Sequence, residues 1–244
     1  MLIRWLWVFL DRPAAEFDTV ADFWTTVTGS RLSDTRGDNA EFVTLLPESG
    51  TPSVKMQAVE SHPRVHVDLD VDDVPTAVER ARELGATPVL EHPDYTVLKS
   101  PHGMTFCLTP FDHSAGTDDT PVVVAPDGSR SRLDQVCLDI GAADYEAESR
   151  FWVELTGWDR TPSARPEFER LRPPDGPLVQ FLLQRLDEDR PTSAHIDLAS
   201  SDTEAIATWH ESLGARRLGI GKEWIVMADP SGQPYCVTGR SPRQ

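Results

Sequence analysis

Along residues 64–71 the side chains alternate. Val65, Val67, Leu69 and Val71 hold the odd positions, and His66, Asp68 and Asp70 the even ones. Successive side chains of a strand point to opposite faces, so the pattern predicts a strand Arg64–Val71 with one apolar and one polar face. Residues 194–198 divide the same way, Ala194, Ile196 and Leu198 against His195 and Asp197. Apolar runs bounded by turn residues predict further strands over Ile3–Leu10, Glu41–Leu46, Ser53–Val59, Tyr95–Leu98 and Met104–Thr109. Helical spacing appears over Ala15–Val27, ending near Gly29, and over Val74–Leu84. The second stretch places Val74, Ala77, Val78 and Ala81 on one face, with Gly85 just past its end. Further helices are expected near Tyr145–Leu155 and Thr203–Leu213.

These elements come twice. Val8-Phe9-Leu10-Asp11 returns as Val136-Cys137-Leu138-Asp139, Phe23-Trp24 as Phe151-Trp152 and Thr28-Gly29 as Thr156-Gly157, each 128 positions on. His66-Val67-Asp68-Leu69 returns as His195-Ile196-Asp197-Leu198, Leu84-Gly85-Ala86 as Leu213-Gly214-Ala215 and Phe106-Cys107 as Tyr235-Cys236, each 129 positions on. One residue of drift in a loop accounts for the change of offset, and a repeat this long is a duplicated module. The stretch from Asp112 to Arg130, rich in Asp, Gly, Ser, Thr and Pro, reads as the connection. The expected organisation is a domain over 1–112, a linker over 113–130 and a second domain over 131–244. Val122 to Val124 in the linker could pair as a short edge strand.

A face carrying His66, Asp68 and Asp70 is an odd choice for burial against apolar atoms. The polar side of such a sheet is a natural place for a small ligand. In the first strand the matching side holds Trp5, Trp7 and Phe9, and in the second repeat Leu133, Gln135 and Cys137, so the repeats differ where a ligand would touch. Trp5 and Trp7 serve equally as space-filling between halves or repeats, because large aromatics dominate cores and interfaces. His66 with Asp68, and His195 with Asp197, are the candidate catalytic pairs, each an imidazole oriented by a carboxylate of the same face. The competing assignment is a hydrogen-bonded histidine bridging strand and loop, since no nucleophile motif stands beside either pair.

Composition narrows the partners. The 244 residues include 40 Asp and Glu against 23 Lys and Arg, a formal charge of −17, which argues against a nucleic-acid backbone as partner. No stretch approaches the roughly 18 uninterrupted apolar residues of a membrane span. The opening run Leu2–Leu10 is interrupted by Arg4 and lacks a following cleavage site. A cytoplasmic location and no membrane partner are therefore expected. Three cysteines do not make a disulfide framework and fit a reducing compartment.

Phe-Trp and Thr-Gly in the first helix, the His-x-Asp-Leu strand, the helix ending Leu-Gly-Ala and the closing run Trp224 to Val237 together resemble the glyoxalase/bleomycin-resistance/dioxygenase, or vicinal oxygen chelate, superfamily, in its glyoxalase-like subgroup. The closing run has its counterpart in Ser100 to Leu108. The resemblance covers nearly all of both repeats. It implies an α+β fold, a tandem pair of domains each built from two βαβββ units that form a cup-shaped mixed sheet with helices outside.

Catalytic members of that superfamily hold a divalent metal through His, Gln and Glu side chains at four strand positions. Here those positions carry Trp7, Gln57, His66 and Cys107 in the first repeat and Gln135, Gln184, His195 and Cys236 in the second. A cysteine stands where a glutamate is typical, so the usual triad is not expected. The resemblance still admits a zinc, nickel, iron or manganese ion, with Gln135, His195 and Cys236 as candidate ligands, although a strand cysteine is more often a small buried hydrophobe. The expected function is binding of a small organic molecule by Trp5, Trp7, Phe9 and the strand positions just named, as the antibiotic-resistance branch does without chemistry. The alternative is a metal-dependent lyase, isomerase or dioxygenase with non-standard ligands, such as His66 with Glu41 or Asp68, or His195 with Asp197. A third possibility is a scaffold in which one repeat only completes the other's core. That makes the chain a monomer by internal pairing; the other option is a homodimer.

Overall fold

The computed structural model describes residues 3–111, 120–173 and 179–242. Positions 113–119 of the expected linker and 174–178 of the second expected domain lie outside the described residues, as do the first two positions, including Leu2, position 112 and the last two. The first repeat runs β1 (Ile3–Pro13), α1 (Phe17–Thr28), β2 (Ser30–Leu32), β3 (Phe42–Pro47), β4 (Val54–Val59) and β5 (Arg64–Val71). It continues with α2 (Val74–Glu83), β6 (Thr87–Glu91), β7 (Thr96–Lys99) and β8 (Thr105–Pro110). The second begins with β9 (Val123–Val124), β10 (Arg130–Ile140), α3 (Tyr145–Thr156), β11 (Asp159–Pro162), β12 (Phe168–Arg172) and β13 (Gln180–Arg185). It ends with β14 (Ser193–Ser200), α4 (Thr203–Ser212), β15 (Arg216–Ile220), β16 (Trp224–Ala228) and β17 (Pro234–Thr238). The described strands make one sheet of eight and one of nine, and with four α-helices they give an α+β fold in two tandem halves. Among the described residues no helix is long and apolar enough to cross a membrane.

The predicted helices and most predicted strands form within a residue or two of their expected ends. α1 is shorter at its start, where Ala14–Glu16 make a turn of 3₁₀ helix. Four strands were not predicted, β2 and β6 and their counterparts β11 and β15 in the second repeat. β2 has only three residues, and β6 (Thr-Pro-Val-Leu-Glu) carries a register shift between Pro88 and Leu90 that destroys its alternation. In the linker, Val123–Val124 do pair with β10, Val124 opposite Arg130.

Compact packing divides the chain differently from the repeat. Unit 1 contains residues 1–8, 66–115 and 136–194, and unit 2 contains 9–65, 116–135 and 195–244. Each unit therefore holds the second half of one repeat and the first half of the other.

In unit 1 the strand order is β1 (its Ile3–Val8 part), β5, β8, β7, β6, with a second run β11, β12, β13, β10. β5 and β8 are parallel and β8 and β7 antiparallel, which makes the sheet mixed. Val67, Leu69, Phe106 and Leu108 are fully buried, and Phe106 meets Trp152 of α3 edge-on at 5.2 Å between ring centres. Trp152 in turn meets Phe181 at 5.4 Å.

In unit 2 the runs are β2, β3, β4, β1 (from Phe9) and β10, β14, β17, β16, β15. Trp24 of α1 packs on Tyr235 at 5.2 Å, and Phe23 on His210 at 5.7 Å. α4 is started by Asp202, whose carboxylate accepts the Ala205 N–H, a side-chain cap for an otherwise unpaired donor. α1 ends at Gly29, held in the left-handed region at φ 60°.

Candidate functional site

Among the described residues, each unit brings a His, an Asp and a Cys side chain together. In unit 1, β5 lies between β1 and β8. The register pairs Asp68 with Cys107 and Asp70 with Thr109, so these side chains share one face. His66 Nε2 is 3.5 Å from Asp68 Oδ1, and the candidate donor atoms of His66, Asp68 and Cys107 lie within 4.8 Å of one another. All three are buried, and Asp68 Oδ1 accepts no hydrogen bond. Burial, with the Asp68 charge adding to it, pushes the Cys107 thiol up to about 12, so it stays protonated at neutral pH.

The tryptophans stand beside this cluster. Trp7 Nε1 donates to Asp70 Oδ2 at 3.0 Å, while Thr109 Oγ1 donates to Asp70 Oδ1 at 2.6 Å. Trp5 meets Trp7 edge-on, ring centres 6.3 Å apart at 71°. Trp5 is 5% exposed, and its indole N–H has no acceptor. Gln184, also in unit 1, is not part of this group; its Oε1 accepts from Cys137 Sγ at 3.4 Å.

In unit 2 the register pairs Asp197 of β14 with Cys236 of β17. His195 Nε2 lies 3.3 Å from Asp197 Oδ1 and 3.5 Å from Cys236 Sγ. Gln135 sits on β10, the strand next to β14, buried, with no acceptor for its Nε2. Its neighbour Asp134 receives both guanidinium nitrogens of Arg240, at 2.6 and 2.8 Å. Burial raises the Asp134 carboxyl, opposed by Arg240 and reinforced by Asp197.

Phe9 and Gln57 belong to another part of unit 2. Phe9 meets Phe42 edge-on at 6.2 Å with the Lys55 ammonium 5.3 Å from its ring centre, and Gln57 is the register partner of Phe42. Glu41 turns its carboxylate onto the N–H of Asn39 at 3.0 Å. A recess of about 360 Å³, counting space open to solvent, lies in unit 2 against Val27, Thr28, Leu45, Thr120 and Leu133, and none of the histidine, cysteine or tryptophan candidates lines it. Sequence reasoning placed Asp70 on the polar face but did not find its clasp on Trp7, nor the Arg240–Asp134 pair.

The family model described as Glyoxalase-like domain matches residues 7–109 and again 135–238, well over half of the chain. The chain belongs to the glyoxalase-like domain family. No curated protein sequence matches this glyoxalase-like protein. Among solved structures it is similar to a Mn(II)-bound glyoxalase from Novosphingobium aromaticivorans, with 14% identity and a TM-score of 0.64 over 97% of this chain and 82% of the other. It is similar to a mutant of 4-hydroxymandelate synthase from Streptomyces coelicolor, with 12% identity and a TM-score of 0.64 over 100% and 95%. A third is 2,2',3-trihydroxybiphenyl 1,2-dioxygenase from Sphingomonas wittichii, at 12% identity and a TM-score of 0.61 over 98% and 90%. At these identities the likeness is one of fold.

The chemistry of the donor atoms decides which ion they could hold. A hard ion such as Mn(II) prefers carboxylate, carbonyl and water oxygen, with imidazole suiting iron. Each cluster offers one imidazole, one carboxylate and one thiol. The first-strand position is Trp7 in one repeat, which has no lone pair to give, and Gln135 in the other. This set does not fit a hard ion.

Proposed function

We propose that this glyoxalase-like protein binds a small aromatic molecule at the Trp5, Trp7, His66 and Asp68 face of unit 1, without an imidazole-and-carboxylate metal triad. The observation that carries this reading is the Trp5 indole N–H, buried with no acceptor. An unsatisfied buried donor costs about 1–3 kcal/mol, which a ligand's acceptor atom would relieve. Trp7 is held by Asp70, so its ring is ordered before any ligand arrives and less entropy is lost on binding. A planar ring suits these edge-on indoles. A hydroxyl on the ligand would complement Asp68 Oδ1, which lacks a donor. The preferred ligand is thus an aromatic carrying both an acceptor and a hydroxyl. Two of the structural neighbours are named for hydroxylated aromatics, 4-hydroxymandelate and trihydroxybiphenyl, and that supports the reading.

Tryptophan fluorescence titration with phenols, catechols and hydroxylated heteroaromatics is the test. A saturable change is expected for at least one of them, with roughly tenfold weaker binding in Trp5→Phe, equivalent to about 1.4 kcal/mol. No saturable response across the panel, or full affinity in Trp5→Phe, would refute it.

A further inference from the structure

Strand register gathers two cations on one face of unit 2. Arg36 and Phe42 form an antiparallel bridge and exchange both backbone hydrogen bonds, Arg36 N–H to Phe42 O at 2.8 Å and Phe42 N–H to Arg36 O at 3.0 Å. Directly opposed residues share a face, and so do residues two apart on one strand. Arg36, Phe42 and Thr44 therefore stand on one side of the sheet, and Lys55, the register partner of Thr44, stands with them. Phe9 joins from β1. Its ring meets Phe42 edge-on at 6.2 Å, and the Lys55 ammonium lies 5.3 Å from its centre. None of these five residues occupies a strand position at which the superfamily holds its metal.

We infer that this face is a site for a small aryl carboxylate, its anion held by Lys55 and Arg36 and its ring by Phe42. Arg36 is anchored before any ligand arrives. Its Nη2 donates to Thr44 Oγ1 at 2.7 Å, and its Nη1 to Ser33 Oγ at 2.9 Å and Asp34 O at 3.4 Å. None of these acceptors is a carboxylate. Thr44 is buried, and Ser33 Oγ also receives the Thr44 N–H at 2.9 Å, so the guanidinium is tied to β3. A guanidinium has five N–H donors in a planar fork, and those left over match the two oxygens of a planar carboxylate.

The acids closest in sequence are engaged elsewhere. Glu41 holds the Asn39 N–H at 3.0 Å, and Asp11, two residues beyond Phe9, accepts from Arg64 Nε at 2.5 Å. Like charges gathered on one face are destabilising, and even in a chain of formal charge −17 they draw an anion to that face. Phe42 is half-buried and offers the ligand's ring an edge or a face, which a carboxylate without a ring does not use. The site stands on unit 2 alone and is independent of the tryptophan face of unit 1.

The test is isothermal titration of the full chain with benzoate, benzamide and acetate. Benzoate should bind saturably. Benzamide, which lacks the charge, and acetate, which lacks the ring, should each bind at least about tenfold more weakly. Lys55→Met keeps the aliphatic stem and removes the charge, and with Arg36→Gln it should weaken benzoate about tenfold, whereas Lys55→Arg should retain it. Neither Lys55 nor Arg36 belongs to the tryptophan face, so weakening in both variants assigns the bound benzoate to unit 2. No benzoate binding, equal affinity for benzamide or acetate, or full affinity in Lys55→Met or Arg36→Gln would each overturn the assignment. The comparison of the three ligands is made on the unmodified chain, so it decides the matter even where a variant does not fold.

Discussion

The indole N–H of Trp24 donates to Asp229 Oδ2 at 3.0 Å, and the same oxygen accepts from Arg12 Nε at 2.8 Å. In unit 1, Trp152, 128 positions after Trp24, donates to Glu148 Oε1 at 2.8 Å, and Glu148 Oε2 accepts the N–H of His102 at 3.2 Å. Both indoles find a buried carboxylate, but from opposite partners. In unit 2 the acid belongs to the turn before β17, and in unit 1 to the helix itself. Val20 occupies the repeat position of Glu148, and Ser100 that of Asp229.

This arrangement separates two kinds of loss. Trp24→Phe keeps the ring and removes one hydrogen bond to a charged group, an expected cost of about 1.5–3 kcal/mol. Asp229→Ala leaves the fully buried Arg12 guanidinium without the carboxylate to which its Nε donates, an expected cost of about 3–5 kcal/mol. Urea unfolding midpoints at constant slope provide the comparison. Equal losses, or a smaller loss for Asp229→Ala, would mean that Arg12 is not held by Asp229.

Such pairs mark where the sequence stops being legible. The face shared by His66, Asp68 and Asp70 follows from parity along one strand, and the duplication follows from matched words at a fixed offset. The partners of Trp24 and Trp7 lie 205 and 63 residues away, and no periodicity links them. Strand β6 was invisible for a local reason. Its Val89 and Leu90 are 58% and 52% exposed, so burial never imposed the alternation that reveals β5.

Burial pushes His210 down to about 3 and keeps it neutral. Its Nδ1 lies 2.9 Å from the Tyr235 hydroxyl, and its Nε2 has no hydrogen-bond partner. The unfolded imidazole takes up a proton below its ordinary 6.5, whereas the folded one does so only near 3. Between those values the unfolded state binds the extra proton. Stability is therefore lost as pH falls through this window, by at most about 1.4 kcal/mol per pH unit from this residue. His210→Phe should flatten that part of the profile, measured as unfolding free energy at pH 6.5 and pH 5. An unchanged slope would show that His210 does not titrate in this way.

Cys107 should be chemically inert in the native chain. With its thiol at about 12 against an ordinary 9.0, the thiolate fraction falls on the order of a thousandfold. Iodoacetamide labelling at pH 8, followed by peptide mass spectrometry, should modify Cys107 only after denaturation. Labelling of the native chain at the rate of a free thiol would contradict this.

The two helix ends Gly29 and Gly157 make a controlled pair. Both stand one residue past a Thr in matched repeat positions, with φ of 60° and 68°. Alanine in this region costs about 1–2 kcal/mol from backbone strain alone. The surroundings differ: a Cβ on Gly29 would come 3.2 Å from Val123 Cγ2, whereas one on Gly157 meets nothing within 4 Å. Gly157→Ala therefore measures the strain, and Gly29→Ala measures the strain plus the push against β9. Gly29→Ala should cost the more, and adding Val123→Ala to it should bring the effect of the glycine substitution back to the Gly157→Ala value. If the two single variants cost the same, the Val123 side chain gives way without loss, and β9 contributes nothing to how α1 ends.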